Sequence, residues 1–364
     1  MRRFLLAAVV LLTACGAPPT VARPTGTASP SVAASAPSPT PTVSITPELA
    51  GDLPAISSNA NGTGEIQHAG GFVHFPGGAF TADPKAAMVQ DPNTHLWRTA
   101  IQPYLSGSND SGRGRITYDP FVGRWIPVSR DQVSSDGLHY AYAEPIFAPG
   151  SNTQPGGPFI TGVHIRVVDL PSGSDRIVFS ATGYPFYTVV AYAAQGIYLT
   201  AGCVEGCGPE ALKLWRVDLA TGKLAKVSDR RGFNWLIRNH VAWVATYDES
   251  GQPSQLLRLD LTNAQIAAWL TGPGMQLIDT DADGSPLVTL NGGGTSAELR
   301  VTAPQQSERI FPGPSNGLLA AVADGSRTRL GGGPIGEVGI YLYTPASGAR
   351  QVSDFRGLPL GPLR

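Results

Sequence analysis

Lysine is scarce in this chain. Only Lys85, Lys213, Lys223 and Lys226 stand among its 26 basic residues, and the other 22 are arginine. Cysteine and methionine number three each, and charged residues make up only 15 % of the 364 positions. The 26 basic and 27 acidic residues leave a formal charge of -1, so there is no global positive field to hold a nucleic acid. Beyond residue 12 there is no apolar run approaching the ~20 residues that a membrane-spanning helix needs. What the chain does have is glycine and proline, 44 and 32 residues, which argue against a helical bundle or coiled coil. Hydrophobic residues at 42 % supply enough apolar surface for a sizeable core and exclude a wholly disordered chain. The arginine bias, together with abundant Ala, Gly and Pro, reads as a coding-composition bias, so no single arginine stands out.

Arg2 and Arg3 precede the apolar run Phe4 to Leu12, which has the length of a signal-peptide core rather than of a membrane span. The run ends in Leu12-Thr13-Ala14-Cys15, which resembles the bacterial lipobox. The resemblance implies removal of residues 1–14 as a lipoprotein signal peptide and acylation of Cys15, a palmitate-type membrane anchor. Ordinary signal-peptidase cleavage near Thr13-Ala14-Cys15 is the alternative. Removing two arginines leaves 24 basic against 27 acidic residues, or -3. Gly16 to Pro47 consists almost entirely of Pro, Ser, Thr, Ala, Gly and Val, with Arg23 its only charge. Such a stretch cannot bury a core, and its prolines stiffen it towards polyproline II. Residues 15–50 therefore read as a lipidated tether, and residues 65–364 as the folded domain.

In the remainder, six segments align: Ile116-Thr-Tyr-Asp119-Pro-Phe-Val-Gly123, Arg166-Val-Val-Asp169-Leu-Pro-Ser-Gly173, Trp215-Arg-Val-Asp218-Leu-Ala-Thr-Gly222, Leu257-Arg-Leu-Asp260-Leu-Thr-Asn-Ala264, Leu299-Arg-Val-Thr302-Ala-Pro-Gln-Gln306 and Tyr341-Leu-Tyr-Thr344-Pro-Ala-Ser-Gly348. Their Asp/Thr positions are separated by 50, 49, 42, 42 and 42 residues. Each copy reads as a hairpin in which Asp or Thr begins the turn and Gly123, Gly173, Gly222 or Gly348 supplies a left-handed backbone. The carboxylates of Asp119, Asp169, Asp218 and Asp260 can accept hydrogen bonds from turn amides, a structural role. Alternation sends Trp215, Val217 and Leu219 to one face and Arg216 and Asp218 to the other. A local ion pair on a wetter face follows, repeated at Arg258 and Asp260. A second turn signal falls between the hairpins: Asp136-Gly137, Gln195-Gly196, Asn239-His240, Asp283-Gly284 and Asp324-Gly325, with Pro76-Gly77-Gly78 as the remaining copy. Two hairpins in 40–50 residues have the dimensions of a propeller blade.

The order Ser134-Ser-Asp-Gly-Leu-His-Tyr-Ala-Tyr142, then Ile165-Arg-Val-Val-Asp-Leu-Pro-Ser-Gly173, resembles the TolB-type, WD-like β-propeller repeat. The resemblance implies an all-β fold of six blades, and counts of five or seven fit the same stretch. It is a signature of fold and carries no site. Ser135, Asn239-His240, Thr302 and Thr344 depart from the repeat pattern.

Cys203 and Cys207 lie in Ala-Gly-Cys-Val-Glu-Gly-Cys-Gly-Pro. In an oxidising compartment a disulfide is expected there, and a metal site is the alternative that needs further ligands. The six histidines show no coordination spacing, and the chain lacks the nucleophile elbow, the phosphate-binding loop and the calcium loop. Neither metal nor cofactor is expected. The tryptophans are spread through the repeats as packing residues. Two irregular insertions, Asp83 to Gly114 and Glu144 to Gly162, carry the recognition prior of long loops on a rigid scaffold.

The expected function is a non-catalytic, lipid-anchored scaffold outside the cytoplasm of a bacterial cell. Its partners are the membrane, through the lipid, and a protein, peptide or glycan at the propeller loops. The alternative is a propeller hydrolase, lactonase or lyase with a metal or carboxylate site at the central channel. Three or more Asp, Glu or His side chains converging at the channel mouth would favour that alternative.

Overall fold

The computed structural model describes residues 49–60, 66–87, 116–149, 160–202, 210–247, 253–281, 283–292, 295–311, 320–321, 329–332, 339–344, 348–361 and 363–364. Cys15 with its signal peptide and the tether to residue 48, Cys203 and Cys207, and the centres of both insertions lie outside the described residues.

The structure is built from short antiparallel sheets in chain order. β1 (Gly51–Ala60), β2 (Ile66–Phe75) and β3 (Ala79–Ala82) pair in sequence and are followed by the one-turn helix α1 (Pro84–Ala87). β4 (Thr117–Asp119) and β5 (Arg124–Ile126) form a hairpin. β6 (His139–Phe147), β7 (Ile160–Asp169) and β8 (Asp175–Thr182) form a three-stranded sheet. Three four-stranded sheets come next. They are β9 (Tyr187–Ala193) to β12 (Leu224–Ser228) with β10 (Gly196–Ala201) and β11 (Leu214–Val217), β13 (Phe233–Arg238) to β16 (Ile266–Thr271) with β14 (Val241–Tyr247) and β15 (Pro253–Asp260), and β17 (Gln276–Thr280) to β20 (Gln306–Phe311) with β18 (Pro286–Gly292) and β19 (Thr295–Ala303). A fourth is β21 (Ala320–Ala321), β22 (Arg329–Gly332), β23 (Ile340–Thr344) and β24 (Gly348–Ser353). Finally β25 (Gly357–Pro359) pairs with β1, Ile56 facing Leu358, and makes a fifth four-stranded sheet from both ends of the fold.

Successive sheets stack on one another and return to the start. β9 lies against β6 and β13, β13 against β17, β20 against β24, and β22 against β25, while α1 joins β2 to β5. Ile126 and Val128 pack with Val133 and Leu170 to link the β4–β5 hairpin to the next sheet. The protein is a β-propeller, and its core is divided among the gaps between blades. Ile165 and Val167 meet Ile197, Leu199 and Val217 in one gap; Tyr198 and Leu214 meet Trp235, Ile237 and Leu257 in the next. A ring removes the exposed sheet edges that an open array would present at its two ends.

Five complete four-stranded blades are present among the described residues, where six were expected. The reason lies in what the repeat counts. All six Asp/Thr segments are outer hairpins, but the β4–β5 hairpin stands without described inner strands, and in the β6–β8 sheet the single bridge Val133 to Tyr140 replaces an inner strand. Pro76-Gly77-Gly78 is not an inner turn, as expected, but joins the outer strands β2 and β3 of the closing blade. The fold also begins earlier than residue 65, because β1 belongs to that blade.

The wetter face appears at β15, where Leu257 and Leu259 are buried and Arg258 and Asp260 half-buried, whereas at β10 and β11 the neighbouring blades cover both faces. Trp215 packs back towards the preceding blade, edge-on to Tyr187 at 5.8 Å. Arg216 is registered across from Tyr198, whose ring belongs to the following gap. The Arg258–Asp260 ion pair forms at 3.7 Å, whereas Arg216 and Asp218 do not reach ion-pair distance. Trp235 donates its indole N–H to the Leu212 carbonyl (2.9 Å), and Trp243 meets Trp269 edge to face at 4.7 Å.

Candidate functional site

Strands of a blade alternate in direction, so the first-to-second and third-to-fourth turns emerge on the same face. Backbone hydrogen bonds tie the two kinds of turn together: the Leu170 amide donates to the Leu138 carbonyl and the Leu261 amide to the His240 carbonyl, both at 2.8 Å. The repeated aspartates are bound within their own turns. Asp119 Oδ1 accepts from the amides of Phe121 (2.8 Å) and Val122 (3.3 Å). Asp218 Oδ1 accepts from the amide and hydroxyl of Thr221, both 2.8 Å. Asp169 accepts from Ser172, and Asp260 from Thr262. These bonds hold the Asp169, Asp218 and Asp260 carboxyls below the usual carboxylate range. Gly123, Gly173 and Gly222 close the turns at φ of 66°, 70° and 65°, and Ala264 takes the same role at 60°. Gly348 opens β24 opposite Thr344, and the turn between them lies outside the described residues.

On this face the inner strand ends surround a cavity of about 840 Å³. Its wall takes Ile116–Phe121 from the β4–β5 hairpin, Ser129–Gly137 before β6, Ala191–Gln195 from the β9–β10 turn, Ile237–His240 from the β13–β14 turn, Asp279–Asp281 at the end of β17, and Pro359–Gly361 after β25. Of the sequence-predicted site residues only Asp119 reaches this wall; Asp169, Asp218 and Asp260 do not.

Five aspartates line the cavity, at positions 119, 131, 136, 279 and 281. They are individually engaged. Asp131 pairs with Arg238, and Asp136 accepts from the Leu138 amide (2.9 Å) and the Ser134 hydroxyl. Asp279 accepts the Thr280 amide at 2.7 Å. Asp281, buried, pairs with the equally buried Arg300, whose other arm reaches Asp283 at 2.6 Å. Among the described residues no three Asp, Glu, His or Cys side chains form a group that could hold a metal ion.

Arg130 is the other cation of the wall. It sits in a short 3-10 turn, Arg130–Gln132, capped at Ser129 by Gln132. Its surroundings and then Arg238 lower its pKa, while Asp119 and Asp131 act in the opposite sense. The rim adds the exposed ring of Phe121 (72 %) and the half-buried Tyr192. Arg130, Asp131, Arg238 and Asp279 escaped the sequence reading, because nothing in a strand end marks it as facing a channel. Their shared signal is positional: each lies a few residues ahead of an inner-turn copy.

No protein-family model matches the chain, and no curated protein is detectably similar in sequence. Among solved structures the chain is similar to TolB from Acinetobacter baumannii, with 15 % identity, TM-score 0.41, and 85 % of this chain and 80 % of that one covered. It is similar to an oligogalacturonate lyase in complex with manganese at 14 % identity and TM-score 0.40, covering 71 % and 76 %. A prolyl endopeptidase gives 13 % identity and TM-score 0.47, covering 83 % of this chain and 49 % of that one.

Proposed function

We propose that this propeller is a lipid-anchored, extracytoplasmic binding scaffold whose turn-lined cavity face receives a protein, peptide or glycan without converting it. One observation carries the reading: on the face where turns from several blades surround an 840 Å³ cavity, four of the five aspartates are tied to turn amides or arginines. A carboxylate that supports its own turn is poorly placed to move protons, whereas a rigid rim of loops is suited to recognition. Anchoring at Cys15 would set this face at the end of a long tether outside the cytoplasmic membrane.

The test is site-specific photo-cross-linking in intact cells, with a photoreactive residue at Phe121 on the rim and, as control, at Ile266 on an outer strand. The reading expects one defined adduct from position 121 and none from 266. Adducts from 266 alone would place the binding surface elsewhere. Release of product from an envelope glycan or peptide by the purified chain, lost on Asp279→Asn, would turn the reading over to the hydrolase, lactonase or lyase alternative.

A further inference from the structure

Within the cavity the charged groups are unevenly satisfied. Asp119 and Asp136 accept hydrogen bonds from turn amides, Asp279 accepts the adjacent Thr280 amide within β17, Asp131 holds Arg238, and Asp281 holds Arg300. Arg130 differs. Its backbone carbonyl accepts the Val133 amide, but its guanidinium makes no hydrogen bond or ion pair with any described residue. The side chain is exposed to the cavity, close enough to Arg238 to feel its charge. Its planar fork of five N–H donors is therefore available at the concave wall. Asp119 and Asp131 attract this guanidinium and Arg238 repels it, yet none of them bonds to it, so its donors are open to a ligand.

We propose that Arg130 anchors a carboxylate carried by the ligand of this face, as a bidentate pair, with the ring of Phe121 on the rim taking an apolar group next to it. A guanidinium fork matches the two oxygens of a carboxylate, and Phe121 exposes 72 % of its surface at the same wall. The five aspartates that share the cavity set the selectivity. They repel a polyanion, so the site accepts a single carboxylate and rejects a densely charged chain. The inference rests on the cavity face being the binding face.

The experiment titrates the full lipidated chain in detergent with N-acetylphenylalanine, with N-acetylphenylalaninamide, and with glucuronate as a carboxylate lacking an aromatic neighbour. Binding is read by calorimetry and ligand-observed NMR. The expected result is that the acid binds at least about tenfold more tightly than the amide, that Arg130→Gln removes this difference, and that Arg130→Lys restores part of it. Glucuronate binds more weakly than the aromatic acid if Phe121 acts as stated, and Phe121→Ser makes the two alike. Equal binding of acid and amide, a difference that survives in Arg130→Gln, or no binding of the acid at 10-fold the concentration that saturates acetate-type contacts, roughly tens of millimolar, would each overturn the proposal. Tighter binding of glucuronate would overturn the role given to Phe121. A rim adduct from Phe121 with no acid–amide difference leaves the binding face standing and removes the carboxylate; the converse result removes the face as a partner surface and leaves the carboxylate pocket.

Discussion

Closure of the ring can be tested at Arg364. Its backbone pairs with Asp52 in both directions, the Asp52 amide donating to the Arg364 carbonyl (2.9 Å) and the Arg364 amide to the Asp52 carbonyl (3.1 Å). Its guanidinium lies over the rings of Phe72 and Tyr118, at 4.3 and 4.4 Å, and donates to the Tyr118 hydroxyl at 2.7 Å. The side chain thereby fastens the closing blade to the β4–β5 hairpin, the blade position with the fewest described strands. Arg364→Ala keeps the backbone pair and removes the fastening. Two cation–π contacts at about 0.5–1 kcal/mol each and one hydrogen bond from a charged donor at about 1.5 kcal/mol give about 2.5–3.5 kcal/mol. The side chain is 37 % exposed, and solvent screening brings the expectation to about 2 kcal/mol. In a domain of this size that lowers Tm by on the order of 4 °C. Urea unfolding of Arg364→Ala, Tyr118→Phe and the double variant should reveal a coupling of about 1 kcal/mol. Additive effects, or a loss below about 0.5 kcal/mol for Arg364→Ala, would refute the idea that this contact holds the ring shut.

Cys15→Ser should abolish incorporation of a fatty-acid analogue and release the chain from the membrane fraction; retained label would exclude the lipobox reading. Arg300→Met leaves the Asp281 carboxyl buried without its cation, and should cost about 3–5 kcal/mol in urea unfolding; a loss under about 1 kcal/mol would show that the network is dispensable. Asp283 is held at about 2, below its ordinary value, by its hydrogen bond with Asp281 and by Arg300. A depressed carboxylate stabilises the fold above its unfolded pKa, and that stability is lost as pH falls, here from about 4 down to about 2. Burial pushes Asp281 in the opposite direction, and Asp283→Asn separates the two: it should flatten the acid limb of the Tm profile, and an unchanged limb would count against this assignment.

The two-hairpin period was legible because each turn is fixed locally, by Asp119, Asp169, Asp218 and Asp260 and the left-handed residue four positions later. The closing blade was not. β25 is only Gly357-Leu-Pro, too short to show alternation, and β1 carries Pro54, which argues against a strand in the interior of a sheet. The Pro54 carbonyl accepts the Leu360 amide (2.8 Å), a partner hundreds of residues away. At β10 and β11 face assignment failed for a related reason. Period-2 sorting distinguishes two faces but cannot say that both are covered, and in this ring Trp215 and Tyr198 serve opposite neighbours. The cavity residues were hidden because Arg130, Arg238 and Asp279 gain their meaning only when separate blades bring them together.

The same geometry accounts for part of the acidity of the cavity. A blade needs turn residues that satisfy their own amides, and aspartate does this with one oxygen. Because the first-to-second and third-to-fourth turns share a face, that face collects carboxylates in proportion to the number of blades. Asp119 and Asp136 are of this kind, each bound within two or three residues of its own position. Asp131 and Asp281 instead face arginines on other segments, Arg238 and Arg300, and hold parts of the wall in place. Once scaffold and wall have taken their share, Arg130 keeps uncommitted donors among the described residues of the wall. An acidic channel mouth can therefore select for a carboxylate, provided that its own carboxylates are already occupied.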